Sequence, residues 1–410
     1  MTIEYRQIQP AEFRKFGIAI ERGFGFHYSP NSAQFRLDKE ILPINGTMCA
    51  FEDGELVGTT AAIPFDESSI QGGTIRNAGV TAVGVSTTHR RQGLLTNMMQ
   101  RLLRQEREKG FPVASLWASE SSIYGRFGYG VAIHHENFRI DTRRAKFTFA
   151  PNIPGRIRFV DADEARKLFP QAWEAAREVR AGIPSRDDVH WDRWAIGLND
   201  GGSEWGKPWT IVYEEDGKIL GYAKYQLQDL HVFGEQTHGA INADDIVTSS
   251  PASHAAIWTH LLNVDLYDTL TTWRSPIDDG LPWMLEDQRQ LERMPYDAIW
   301  YRMLDIQAAL ESRTYLNDGS VVFEVVDEFL PECGGRFKLE VQAGRGTCLG
   351  VTEEPDFTLP TASLGAIFIG GSRLTDLERA GRVDEHTDGS LATTDRMFST
   401  IRAPWCPMMF

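Results

Sequence analysis

The sequence predicts a mixed α/β chain arranged as three units, and three observations carry that reading. Apolar residues alternate along residues 3–8 but recur at helical spacing from Leu94 onward, so the period switches from strand to helix within one segment. A hairpin-and-strand pattern occurs twice, around Asp53-Gly54 and again around Asp216-Gly217. From about Leu304 the pattern changes once more, with a turn at Asn317-Asp318-Gly319. A length of 410 residues fits this count, because domains run to roughly 150 residues each.

The elements follow in order. Residues 3–8 read as a short strand and residues 10–22 as a helix with proline near its start. Residues 48–51 and 56–63 are strands flanking Glu52-Asp53-Gly54-Glu55, where Asp-Gly signals a tight hairpin. Residues 75–85 form the next strand. Leu94, Leu95, Met98, Met99, Leu102 and Leu103 then make one apolar helical face, with Arg101, Arg104, Glu106 and Arg107 opposite. Gly110 suits the position just past the helix end. Residues 112–118 are a strand, SSIYGRFGYG is a turn, and a further strand lies near 137–140. Residues 142–156, with two prolines, read as a linker. The expected units are 1–145, 146–303 and 304–410. In the last, residues 320–325 and 336–341 are strands and 362–369 a buried helix.

The second unit reads as a worn copy of the first. Glu52-Asp53-Gly54-Glu55-Leu56-Val57-Gly58 corresponds to Glu215-Asp216-Gly217-Lys218-Ile219-Leu220-Gly221, and Val85-Ser86-Thr87-Thr88 to Val247-Thr248-Ser249-Ser250. A gap-free pairing then sets Arg90, Arg91 and Gly93 opposite Ala252, Ser253 and Ala255. The strand-to-helix frame occurs twice and the basic loop once, which assigns the loop to chemistry rather than folding. Nine of the eleven tryptophans fall between Trp173 and Trp300, as core packing or as an aromatic ligand cage, with core packing the favoured reading.

A net charge of −15 argues against nucleic acid and anionic membranes as general partners. It is compatible with cationic substrates, and equally with solubility alone. The cysteines at 49, 333, 348 and 406 form no C-x-x-C pair and have no histidine cluster beside them, so neither a zinc site nor a disulfide framework is expected. The polar start MTIEYRQIQPAEFRK is not a signal peptide, and no apolar run approaches the roughly 20 residues of a membrane span. The expected compartment is the cytoplasm.

A helix N-terminus presents unpaired N–H groups and partial positive charge. Gly93 lets a ligand approach the backbone, and Arg90 and Arg91 add charge-assisted donors, so the loop suits a pyrophosphate. It lacks the lysine of a Walker loop and the three glycines of a dinucleotide fingerprint. Arg90-Arg91-Gln92-Gly93-Leu94 after a Val-x-Val strand instead resembles the acetyl-CoA site of GNAT acyltransferases. Leu95 departs from that pattern, which usually has Gly or Ala there.

With the SSIYGRFGYG turn, the three-part layout and the length, the whole chain resembles the Eis family of acetyltransferases. That resemblance implies tandem GNAT-like domains, the second degenerate and without a cofactor loop, then a sterol-carrier-protein-like α/β domain. It implies acetyl-CoA as cosubstrate, no metal, and a homohexamer built as a dimer of trimers. Val83, Gly84 and Val85 would lie along the pantetheine, Arg90, Arg91, Gln92, Gly93 and Leu94 would hold the pyrophosphate, and Ser119 would touch the cofactor near its thioester. Tyr124 would be the general acid, and the carboxylate of Phe410 the general base. The amine would come from an aminoglycoside, another polyamine or a lysine side chain.

Other readings stay open on the residues. Tyr124 and Tyr129 can simply pack in a glycine-rich turn, and His89 is an alternative base. His134 and His135, adjacent on a strand, face opposite ways and do not readily share a ligand. Phe24, Phe26, His27 and Phe35 line an amine pocket or belong to the core. The apolar tail IRAPWCPMMF suggests a buried chain end. Protein or peptide lysine acetylation and a non-catalytic lipid-binding scaffold are the alternative functions.

Overall fold

The structure, a computed structural model, describes residues 2–25, 32–196, 205–230 and 238–410. The chain folds as two compact units. One comprises Met1–Ile133, Asp297–Pro404 and Met408–Phe410, and the other His134–Tyr296 and Trp405–Pro407.

The first unit holds a seven-stranded sheet in the order Ile3–Arg6, Cys49–Glu52, Glu55–Ile70, Gly73–Val85, Val113–Trp117, Ile299–Met303 and Gly130–Val131. Its one parallel pair joins Gly73–Val85 to Val113–Trp117, and the Leu94–Glu108 helix makes the crossover between them. Met99, Leu102 and Leu103 of that helix pack on Val80, Ala114 and Leu116, the apolar face read from the sequence. The turn at Asp53 and Gly54 takes φ of 49° and 81°, the two positive values a tight hairpin needs.

Two elements run differently from the sequence expectation. The Glu55–Ile70 strand continues past Pro64. Pro64 is exposed and faces Ala78 beyond the stretch paired with Cys49–Glu52, so its missing N–H breaks no ladder on that side. The helix read over residues 10–22 is a 3₁₀ turn, Pro10–Glu12, followed by an α-helix, Phe13–Phe24.

The second unit repeats the frame. Its sheet runs Leu291–Asp297, His134–Asp141, Thr269–Pro276, His238–Thr248, Lys218–Leu230, Trp209–Glu215 and Arg156–Val160. Asp216 and Gly217 take φ of 49° and 74°, nearly the values of the first hairpin. The Pro251–Leu262 helix crosses between the parallel pair and buries Ile257, Trp258 and Leu261 against Ile211, Tyr225 and Ile241. Trp173, Trp191 and Trp194 pack together edge-on, and the guanidinium over Trp173, at 3.7 Å, is the chain's own Arg186.

Each sheet takes one strand from the sequence half that otherwise builds the other. His134–Asp141 pairs with Thr269–Pro276, while Ile299–Met303 pairs with Val113–Trp117. The compact units therefore divide at 133/134 and 296/297.

The C-terminal part of the first unit carries a five-stranded sheet, Arg345–Gly350, Gly335–Gln342, Gly319–Val326, Phe357–Pro360 and Asp384–Glu385. Its Thr361–Ile367 helix is buried along its whole length beside Ile299–Met303. Gly365 makes that approach possible, since a Cβ there would stand 2.2 Å from the Tyr301 carbonyl oxygen. Buried Arg313 donates to the carbonyls of Phe368 and Phe398, which follow or end two helices and carry their negative dipole ends. Burial without a carboxylate partner pushes its pKa down to about 10. Among the described residues no helix is long and apolar enough to cross a membrane.

Candidate active site

Gly73–Val85 pairs along one edge with Glu55–Ile70, but its parallel ladder with Val113–Trp117 ends at Val80 and Leu116. Just beyond, Ala82 adopts φ of 54°, the register against Glu55–Ile70 shifts, and Thr59 Oγ1 donates to the Ala82 carbonyl at 2.8 Å. Such a bulge bends a strand and re-aims its backbone. At this end of the parallel ladder lies a cavity of about 170 Å³. Val80, Thr81, Ala82 and Val83 line it from one strand, Trp117, Ala118 and Ser119 from the other, with Tyr124, Phe24, Met409 and Phe410 closing it.

The cavity thus brings together Val83, Ser119, Tyr124 and Phe410. Gly84 and Val85 continue the same strand beyond its lining. The bulge at Ala82 and the lining roles of Trp117 and Met409 had no sequence signal. Phe24 lines the cavity, whereas Phe35 sits edge-on to Phe13 in the core, their ring centroids 5.4 Å apart. Phe26 and His27 lie outside the described residues.

Tyr124 ends a single helical turn, Ser121–Tyr124, and is only 4% exposed. Burial pushes its pKa above the usual tyrosine value, a hydrogen bond with Ser119 opposes the rise, and the charge of Glu120 adds to it. The phenol therefore holds its proton at neutral pH, as a general acid must. Residues 404–408 are buried, and Trp117 Nε1 donates to the Met408 carbonyl at 2.9 Å. The Phe410 ring stands edge-on to Phe65 at 5.0 Å.

The basic loop leaves the same strand. Thr87–His89 forms a 3₁₀ turn, Arg91 takes φ of 64°, and Gly93 takes φ of 81° as N-cap of Leu94–Glu108. No side chain caps that helix start. Arg90, Arg91, Gln92 and Gly93 are exposed, and the three side chains make no hydrogen bond or ion pair among the described residues. Leu94 differs: it is 3% exposed and packs with Ala50, Val57 and Met98, so its side chain belongs to the core. Cationic side chains beside an uncapped helix start can take up a diphosphate.

His89, weighed as a base, is engaged elsewhere. Its Nε2 lies 2.9 Å from Glu52 Oε2 and its Nδ1 2.7 Å from Thr88 Oγ1, and it does not line the cavity. It braces the loop against the first hairpin. His134 and His135 lie on the His134–Asp141 strand, where His135 is buried and its ring stacks at 5.8 Å on Tyr296. Among the described residues no group of three His, Cys, Asp or Glu side chains gathers as a metal site would require.

The corresponding helix start in the second unit is closed. Ser250 is its N-cap, Pro251 follows, and Ser250 and Ser253 cap each other's backbone N–H groups at 3.1 Å. Matching the two N-caps sets Gly93 opposite Ser250, not Ala255. The gap-free pairing is thereby corrected: Ala252, Ser253 and Ala255 are helical, and the second copy lacks the loop outright.

Residues 4–132 match the acetyltransferase (GNAT) domain, residues 182–306 match another acetyltransferase (GNAT) domain, and residues 306–407 match the sterol carrier protein domain. An uncharacterized N-acetyltransferase of Streptomyces griseus is 32% identical over 418 residues, covering all of both chains. The N-acetyltransferase Eis of Mycobacterium tuberculosis is 31% identical over 336 residues, 79% of this chain and 78% of that one. The crystal structure of Eis1 from Mycobacterium abscessus superposes with a TM-score of 0.86 at 30% identity, over 99% of this chain and all of that one. A GCN5-related N-acetyltransferase from Anabaena variabilis shares the fold, with a TM-score of 0.84 at 19% identity over all of both chains. The chain belongs to the Eis-type N-acetyltransferases, enzymes built from GNAT domains and a sterol-carrier-type domain.

Proposed function

We propose that this enzyme acetylates a primary amine of an aminoglycoside or another polyamine by direct attack of the nitrogen on the thioester of acetyl-CoA. The observation that carries the reading is the shared cavity: Tyr124 and Phe410 both line it, at the end of the strand that leads into the exposed Arg90-Arg91 loop. The residues present fit acetyl-CoA. The loop suits the diphosphate, the one-sidedly paired stretch from Thr81 to Val85 suits the amide-bearing arm, and Ser119 flanks the acyl end.

Two proton movements are needed. An alkylamine has a pKa near ~10 and attacks only as the free base, so the Phe410 carboxylate accepts its proton. The carbon–sulfur bond breaks as the carbon–nitrogen bond forms, and Tyr124 donates its phenolic proton to the departing sulfur. Val83 and the bulged backbone before it border the reacting carbonyl, where N–H groups stabilise charge developing on oxygen. No covalent enzyme intermediate is required. Holding both reactants together supplies much of the rate.

A net charge of −15 and the aromatic lining residues Phe24, Trp117 and Phe410 both favour a cationic substrate. The apolar lining also suits the aliphatic stem of a lysine side chain, so peptide Nε-acetylation is the second reading. We further propose a homohexamer, for which Phe149, Trp273 and Trp283, each more than half exposed, supply apolar surface. The mass in solution tests that assembly.

The deciding experiment measures CoA-thiol release with an aminoglycoside, a linear polyamine and a lysine-containing peptide in parallel. Turnover with either polyamine class supports the first reading, and turnover with the peptide alone supports the second. Release with none, together with no acetyl-CoA shift in melting temperature, would leave the lipid-scaffold alternative standing.

A further inference from the structure

We propose that Trp117 is a positioning residue that seats the end of the chain, and so aims the carboxylate of Phe410 at the amine. The inference rests on the reading of that carboxylate as the proton acceptor. Three features make the seat. Trp117 ends the Val113–Trp117 strand, where the parallel ladder has already stopped, and its indole N–H donates to the Met408 carbonyl at 2.9 Å. Met408 is 8% exposed, so little water reaches it to take the place of that donor. Two residues on, the Phe410 ring meets Phe65 edge-on at 5.0 Å.

Gly79 leaves room for both rings. A Cβ there would stand 2.4 Å from one Phe65 ring carbon and 3.0 Å from a Phe410 ring carbon. The tail is therefore held at two points, by a hydrogen bond at Met408 and by ring packing at Phe410. Met409, between them, is 63% exposed and contributes no comparable anchor. Fixing both flanks narrows the positions open to the carboxylate. Placement matters at this scale, because an error of about 1 Å in a reacting group can lower a rate by roughly 10²-fold.

The test compares Trp117→Phe, which keeps an aromatic ring and loses the N–H, with Trp117→His, which restores an N–H. Melting temperatures establish that both are folded. One readout is release of Phe410 and Met409 by carboxypeptidase, which is independent of acetyl transfer. The other is the pH dependence of kcat, with KM for acetyl-CoA and for the amine measured alongside.

The proposal expects Trp117→Phe to release its tail residues several-fold faster and to lose roughly 10- to 100-fold in kcat near neutral pH. KM for acetyl-CoA should stay unchanged. The deficit should shrink as pH rises toward ~10, where the amine is already neutral and needs no base. Trp117→His should recover both readouts in part. Unchanged tail release in Trp117→Phe overturns the seat itself, whatever the role of the carboxylate. Faster release with an unchanged kcat and pH profile overturns the catalytic consequence, and with it the reading of Phe410 as the base.

Discussion

Arg302 and Asp327 pair at 2.7 Å with neither side chain exposed. Arg302 lies on the Ile299–Met303 strand, and its other terminal nitrogen donates to the Phe127 carbonyl at 2.7 Å. Asp327 follows the Gly319–Val326 strand, and its second oxygen accepts from the backbone N–H groups of Phe329 and Leu330. The pair thus fastens the C-terminal sheet to the turn that follows Tyr124.

Asp327→Ala should strand the Arg302 guanidinium in a dry interior. Breaking a buried pair from one side costs about 3–5 kcal/mol. Chemical denaturation should show a loss of that order, with kcat falling too as the Phe127 anchor loosens. A loss below about 1 kcal/mol would show the pair to be incidental.

Tyr124→Phe should fold normally and lose about 10²-fold or more in kcat, with little change in KM for acetyl-CoA. The pH profile sharpens the test. Burial raises the Tyr124 pKa, so the proton-donating form persists beyond the usual tyrosine range. The alkaline limb of kcat should therefore lie above the ordinary tyrosine range. A limb at pH 8 would assign the acid to another group.

The second helix start should be structural only. Ser250→Ala removes its cap and should cost about 1 kcal/mol in stability. Acetyl-CoA affinity should not change, and a measurable loss would place a cofactor contact there.

The four thiols should be inert in the folded protein. All are buried, and burial pushes Cys49 and Cys348 up to about 12 and Cys333 to about 11. An aromatic disulfide reagent at pH 8 should titrate none of them until denaturant is added. Stoichiometric labelling of the native enzyme would contradict the burial.

Local signals in the chain were legible and non-local ones were not. The 3.6-residue period from Leu94 and the Asp-Gly turns are short-range physics, and both appear where the sequence places them. The exchange of His134–Asp141 and Ile299–Met303 between sheets is invisible to any such pattern, because each strand chooses a partner distant in sequence. At the site, Tyr124 and Phe410 carried motif and tail signals, yet the bulge at Ala82 that shapes their cavity did not. A non-glycine residue with positive φ leaves no compositional trace. Leu94 was assigned by its place in the loop, but its apolar side chain obeys the helix period and goes to the core. The Trp117 to Met408 hydrogen bond spans 291 positions and needed the fold to be seen.

The most direct measurement is a calorimetric titration of acetyl-CoA at moderate ionic strength, on the native chain and on the Arg90→Ala/Arg91→Ala double variant. Hydrogen bonds to charged groups are worth about 1.5–3 kcal/mol, and partial exposure reduces that, so affinity should fall at least ~10-fold in the double variant. Saturable binding to the native enzyme and that loss in the double variant are the expected results. Equal affinity in both proteins, or no heat with the native one, would contradict a diphosphate seated on the Arg90-Arg91 loop.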